Sequence, residues 1–121
     1  MPESVKRAAF LLVASLLFAP QPVLAHHQIA TNYDVQHPVL LKGTVIKVDW
    51  SNPHVHLSLA ATDENHAVTR WEFEMASPNL LLMNGFKIDN PRPGDRVTVS
   101  AYPARDGSKS GYASKVTWSR R

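Results

Sequence analysis

Beyond residue 25 the hydrophobic positions recur in short runs at a period of two, the period of half-buried strands. Val39 to Trp50, VLLKGTVIKVDW, is the longest run. Neither of its faces is wholly polar, which predicts a long, bent strand that changes its buried face, with Gly43 permitting the bend. Ser51-Asn52-Pro53 is a turn signal. His54 to Leu59 alternates cleanly, Val55, Leu57 and Leu59 inward and His54, His56 and Ser58 outward, so the two runs read as a hairpin. Ala60 to Asn65 reads as a polar loop. His66 to Met75 alternates again, with Ala67, Thr69, Trp71, Phe73 and Met75 on one face and Glu72 and Glu74 on the other.

The period then changes. Ser77 suits a helix N-cap, Pro78 the first helical position and Gly85 the stop, with Leu80 to Met83 as the apolar face between them. Two further alternating runs follow, Asp95 to Tyr102 with Val97, Val99 and Ala101 inward, and Gly111 to Trp118 with Tyr112, Ser114, Val116 and Trp118 on one face. A turn at 105–108 joins them. The predicted order, β-β-β-α-β-β, is that of the OB-fold, a five-stranded Greek-key barrel. Another small barrel or sandwich with a capping helix is the alternative.

The first 25 residues have a different pattern. Lys6 and Arg7 precede a short apolar stretch, Ala8 to Ala19, and Val23-Leu24-Ala25 follows two prolines as a small-residue cleavage signal. Twelve helical residues rise only about 18 Å, short of a hydrocarbon core of about 30 Å. The segment therefore reads as a secretory signal peptide (1–25), not an anchor. Cleavage after Ala25 leaves 96 residues with His26-His27 at the new amino terminus. Residues 26–38 read as a polar, irregular arm and 39–121 as the barrel domain. The expected location is the periplasm or the exterior.

Composition narrows the chemistry. The 121 residues contain no cysteine, so disulfides, thiolate metal sites and thiol nucleophiles are excluded. The net charge of +3 falls to +2 once Glu3, Lys6 and Arg7 leave with the signal peptide. That balance is unlike a dedicated nucleic-acid binder.

Several strings occur in order along the chain: Ala25-His26-His27 before Tyr33-Asp34, Leu41-Lys42-Gly43-Thr44-Val45, and Trp50-Ser51-Asn52-Pro53-His54-Val55. Trp71-Glu72-Phe73-Glu74, Ser77-Pro78-Asn79 with Gly85, Pro93-Gly94-Asp95-Arg96-Val97-Thr98 and Asp106-Gly107-Ser108 follow. Together they resemble a family of small secreted bacterial proteins known only as a domain of unknown function. Ile29 and His56 depart from it, since the family often has aromatics at both places. The resemblance implies a periplasmic OB-like domain and brings no catalytic residues with it.

The histidines are the main candidates for chemistry. All six lie beyond residue 25, and without cysteine imidazole is the best transition-metal ligand available. His54 and His56, at i and i+2 on a strand, leave one face about 6.5–7 Å apart, close enough to converge on one ion. A mature His26 could chelate through its amine and ring together. With a strand imidazole this makes an all-nitrogen site suited to Cu(II) above Zn(II) or Ni(II). Cleavage after Leu24 would instead place His27 third in Ala-His-His, another copper-binding arrangement. His26, His27, His54 and His56 are thus the candidate ligands; solvated histidines on a mobile arm and an outer face are the competing reading. His37 and His66 read as solvated.

Trp50, Arg70 and Trp71 could line an OB groove for an oligosaccharide or another ligand, or the tryptophans could be core packing. Export argues against nucleic acid as the natural partner. Glu72 and Glu74 read as a solvated face. No nucleophile elbow, phosphate loop or zinc-protease signature is present. The expectation is a secreted binding module for a protein, glycan or small ligand, with copper binding as the alternative and metal-dependent catalysis supported by nothing beyond the candidate metal.

Overall fold

The computed structural model describes residues 28–119. Its strands are β1 (Val39–Asp49), β2 (His56–Thr62), β3 (Val68–Glu74), β4 (Arg96–Pro103) and β5 (Ser110–Trp118), with α1 (Pro78–Met83) between β3 and β4. They close a barrel in the order β1-β2-β3-β5-β4, every pair antiparallel except β3 with β5. This is the expected OB-like architecture. The proposed signal peptide and His26-His27 lie outside the described residues. Among the described residues no helix is long and apolar enough to cross a membrane.

Two bulges explain the mixed strand faces. In β1, Val45 pairs with Leu59 and Lys47 with Ser58, so Ile46 is the extra residue. Gly43 and Val45 are buried before it, and Val48 and Trp50 pack on the core after it. The change of face therefore occurs at Ile46, as expected of a bulge, and not at Gly43. Gly43 has another role. A Cβ there would lie 2.2 Å from the Ala60 carbonyl oxygen, so β1 and β2 cross too closely for a side chain. In β5, Ser100 faces Lys115 and Ala101 faces Ala113, leaving Ser114 bulged. Gly111 and Ala113 are buried before that bulge and Val116 after it. Tyr112 and Val116 thus occupy opposite faces, which corrects the single face expected from alternation.

Three element boundaries also differ. The loop expected from Ala60 begins only after Thr62, because Ala61 is buried opposite Gly43 and Thr69. His54 and Val55 precede β2 instead of opening it. The arm is not irregular: residues 28–32 are helical and Tyr33 bridges to Ala104.

In α1, the Ser77 hydroxyl caps the Leu80 amide at 3.4 Å. Only Leu81 of the apolar quartet is buried, while Met83 is 82% exposed. Successive helical residues point about 100° apart, so one short helix cannot bury four in a row. The core is formed by Phe73, Leu57, Leu59, Met75, Val45, Val55 and Val99.

Candidate functional site

Strand alternation turns Phe73 and Met75 inward and Glu74 outward. On that outer face the register aligns His56, Glu74, Tyr112 and Tyr102 in a row across β2, β3, β5 and β4. Residues 28–33 lie over this row. Between them is a cleft of about 420 Å³, lined by residues 28, 29 and 31–33 of the N-terminal segment and by His54, Glu74 and Tyr112.

Glu74 organises the cleft. Its Oε2 accepts the Tyr33 hydroxyl at 2.7 Å, and its Oε1 is bonded to His54 Nδ1. An ionised carboxylate only accepts, so this bond calls for a hydrogen on Nδ1, and a neutral ring in that tautomer keeps its lone pair on Nε2. His54 is held in place from the backbone as well. Val55 exchanges bonds with the β3 end, its amide donating to Ala76 O at 3.1 Å and its carbonyl accepting from Met75 N at 2.8 Å. Ser51 Oγ donates to the His54 carbonyl at 3.3 Å. The His54 side chain remains 44% exposed and that of Glu74 28%.

Burial, the hydrogen bond to Glu74 and the Glu74 charge together push the Tyr33 phenol well above its ordinary range. Tyr112, whose ring lies 6.0 Å from that of Tyr33, is raised by burial and then by the same carboxylate. A carboxylate bonded to imidazole is the usual second partner of a metal-ligating histidine, because it fixes the tautomer and raises ring basicity. Among the described residues no three His, Asp or Glu side chains form a group able to hold a metal ion.

The structure separates the two strand histidines. His54 turns to Glu74 and lines the cleft; His56 is exposed at the start of β2 and does not line it. His26 and His27 lie outside the described residues. His37 is exposed and bonded to Asp34 at 2.9 Å, which lowers the Asp34 carboxyl. His66 is exposed in a turn.

The proposed groove is also divided. Trp50 and Trp71 pack on the core, Trp71 stacked on Phe73, whereas Arg70 points outward to Glu72 at 2.7 Å. Glu72 is more than a solvated acid. Burial works to raise its carboxyl, but bonds from Ser58 and Arg70 outweigh this and lower it. Glu74 and Tyr33 are the site residues that the pattern does not reveal. Their partners lie 20 and 41 positions apart in the chain, so no local spacing signals them.

The cleft lies between the N-terminal segment, which the β4–β5 loop holds, and a wall formed by His54 of the β1–β2 loop, Glu74 and Tyr112. Fold and cleft thus define a small OB-like barrel with a polar, aromatic-walled seat beneath its N-terminal segment. A family model matches residues 13–114, and the chain belongs to that family, a family of unknown function (DUF6152). No curated protein matches the sequence. Among solved structures the chain is similar to the crystal structure of Rim1, a mitochondrial single-stranded DNA binding protein from S. cerevisiae. The TM-score is 0.51 at 12% identity, over 70% of this chain and 95% of that one. At that identity the likeness is one of fold.

Proposed function

We propose that the mature protein is an extracytoplasmic binding module whose ligand is a divalent transition metal, Cu(II) foremost. The donors are the amine and ring of His26 together with Nε2 of His54. The observation that carries this reading is the Glu74–His54 pair at the cleft wall, which holds Nε2 as the unprotonated ring nitrogen.

Chain connectivity supports the amino-terminal donors. Gln28 lines the cleft, and His26 is two residues earlier in the chain. Removal of residues 1–25 is part of the proposal, because only then is the His26 amine free. His27 is the donor for the alternative cleavage after Leu24. His56, exposed beside Glu74 in the register and not among the residues that line the cleft, is left out of this primary ligand set.

The test is Cu(II) titration of protein processed in a secreting host, its amino terminus established by mass spectrometry. Nanomolar or tighter binding is expected for protein beginning at His26. His54→Ala should weaken binding by orders of magnitude. Equal affinity in His54→Ala refutes the ligand set, and a mature protein that still carries residues 1–25 refutes the amine donor.

A further inference from the structure

The segment that carries the proposed amino-terminal donors has a dedicated fastening. The helical turn at 28–32 ends with the bond from Tyr33 N to Ile29 O at 2.9 Å. The next amide, Asp34 N, would reach Ala30 O in a continuing helix. It turns instead to Pro103 O at 2.8 Å, ending the helix and leaving the last carbonyls to find other donors. One residue, distant in sequence, supplies two of them. Arg105 Nε donates to Ala30 O at 2.9 Å, and Arg105 N donates to Asn32 O at 3.0 Å.

Arg105 sits in the β4–β5 loop, directly after the Tyr33–Ala104 bridge. The β1–β4 ladder, which ends at Val39 opposite Ala101, therefore resumes upstream at residues 32–34 beside 103–105. The backbone bonds fix the end of the turn. The guanidinium reaches further along it, to Ala30, beside the cleft-lining Ile29. A cationic donor is suited to this end, because the free carbonyls of a helix terminus carry partial negative charge.

We infer that Arg105 is a positioning residue for the cleft: its side chain clamps the helical turn at 28–32 in place over the cleft. The inference rests on the proposed metal reading for its consequence and on the described residues for its geometry. Arg105 is exposed, and its side chain makes no bond to His54, Glu74 or the core, so its removal leaves the barrel itself intact.

The experiment compares processed wild type with Arg105→Ala, Arg105→Lys and a control, Lys115→Ala, which removes an exposed cation from β5. Two measurements are made: amide exchange at Asp34 and Tyr33 in the metal-free protein, and Cu(II) affinity and dissociation rate by competition with a chromophoric chelator. Arg105→Ala should keep the wild-type circular dichroism, exchange both amides at least tenfold faster and bind copper at least tenfold more weakly. The loss should appear mainly in the dissociation rate. Arg105→Lys, which can still donate to Ala30 O, should recover part of both effects, and Lys115→Ala should show neither.

Unchanged exchange in Arg105→Ala overturns the clamp whether or not copper binds. Faster exchange with unchanged copper affinity overturns its service to the site. Absence of copper binding in the wild type overturns the metal reading, and amide exchange alone then decides whether the clamp exists.

Discussion

Glu74→Gln is the sharpest probe of the cleft because it changes charge while nearly keeping shape. The wild-type carboxylate accepts two hydrogen bonds, one from the Tyr33 hydroxyl at 2.7 Å and one from His54 Nδ1. Glutamine has one carbonyl oxygen and one NH₂. If the NH₂ faced His54, donor would meet donor and the ring would have to move its hydrogen to Nε2, which removes the metal donor. The hydroxyl of Tyr33 can rotate to accept, so the relaxed variant turns its NH₂ toward Tyr33 and its oxygen toward His54. The tautomer survives and the anionic support of the ring is lost. Loss of such an outer partner typically weakens metal affinity 10–100-fold, about 1.4–2.7 kcal/mol. Both groups are partly exposed, so folding should lose no more than about 1–2 kcal/mol. The assay is Cu(II) competition on processed protein with a thermal melt of the metal-free form. In a His54→Ala background the same substitution should change affinity by less than about twofold, because the coupling then has no recipient. Wild-type affinity in Glu74→Gln, or an equal loss in both backgrounds, refutes the reasoning.

Other outcomes follow from the barrel and the cleft. Gly43→Ala places a methyl 2.2 Å from the Ala60 carbonyl oxygen, an overpacking expected to destabilise by about 1–3 kcal/mol or more. For a domain of this size that lowers Tm by about 4–8 °C per kcal/mol, readable in a melt. Ser77→Ala removes the α1 cap and should cost about 1 kcal/mol, with no change in copper affinity because α1 does not line the cleft. Tyr33 and Tyr112 should ionise late in an alkaline absorbance titration, above the ordinary value of 10.0. Their contribution to stability is fully present below that value. It is lost as pH rises toward the folded values, because the unfolded chain releases these protons first. Tyr33→Phe should remove one late-titrating group; a curve with every tyrosine at its ordinary position contradicts the buried, carboxylate-facing placement.

Much of the fold was legible because each strand announces itself locally. Val55, Leu57 and Leu59, Phe73 and Met75, and Val97 and Val99 all alternate as written and are buried as expected. The Ser77-Pro78 start and Gly85 stop of α1 are equally local. The pattern misleads where one residue shifts the phase. Ile46 and Ser114 look ordinary in sequence, and only pairing with the neighbouring strand shows that each is bulged. Ala60 and Ala61 resemble a loop until Gly43 is found crossing over them.

The site divides in the same way. The pattern alone points to imidazole as the candidate metal ligand, to the turn that carries His54, and to the proposed cleavage after Ala25. Those are properties of residue type and neighbouring positions. The separation of His54 from His56, the carboxylate that holds His54, the tyrosine over that carboxylate and the arginine that clamps the segment above it arise only on barrel closure. Hydrogen bonding between side chains depends on distance in space, and closure brings together residues 20, 41 and 75 positions apart. A periodic pattern records which face of a strand is buried; it carries no record of which other strand arrives beside it.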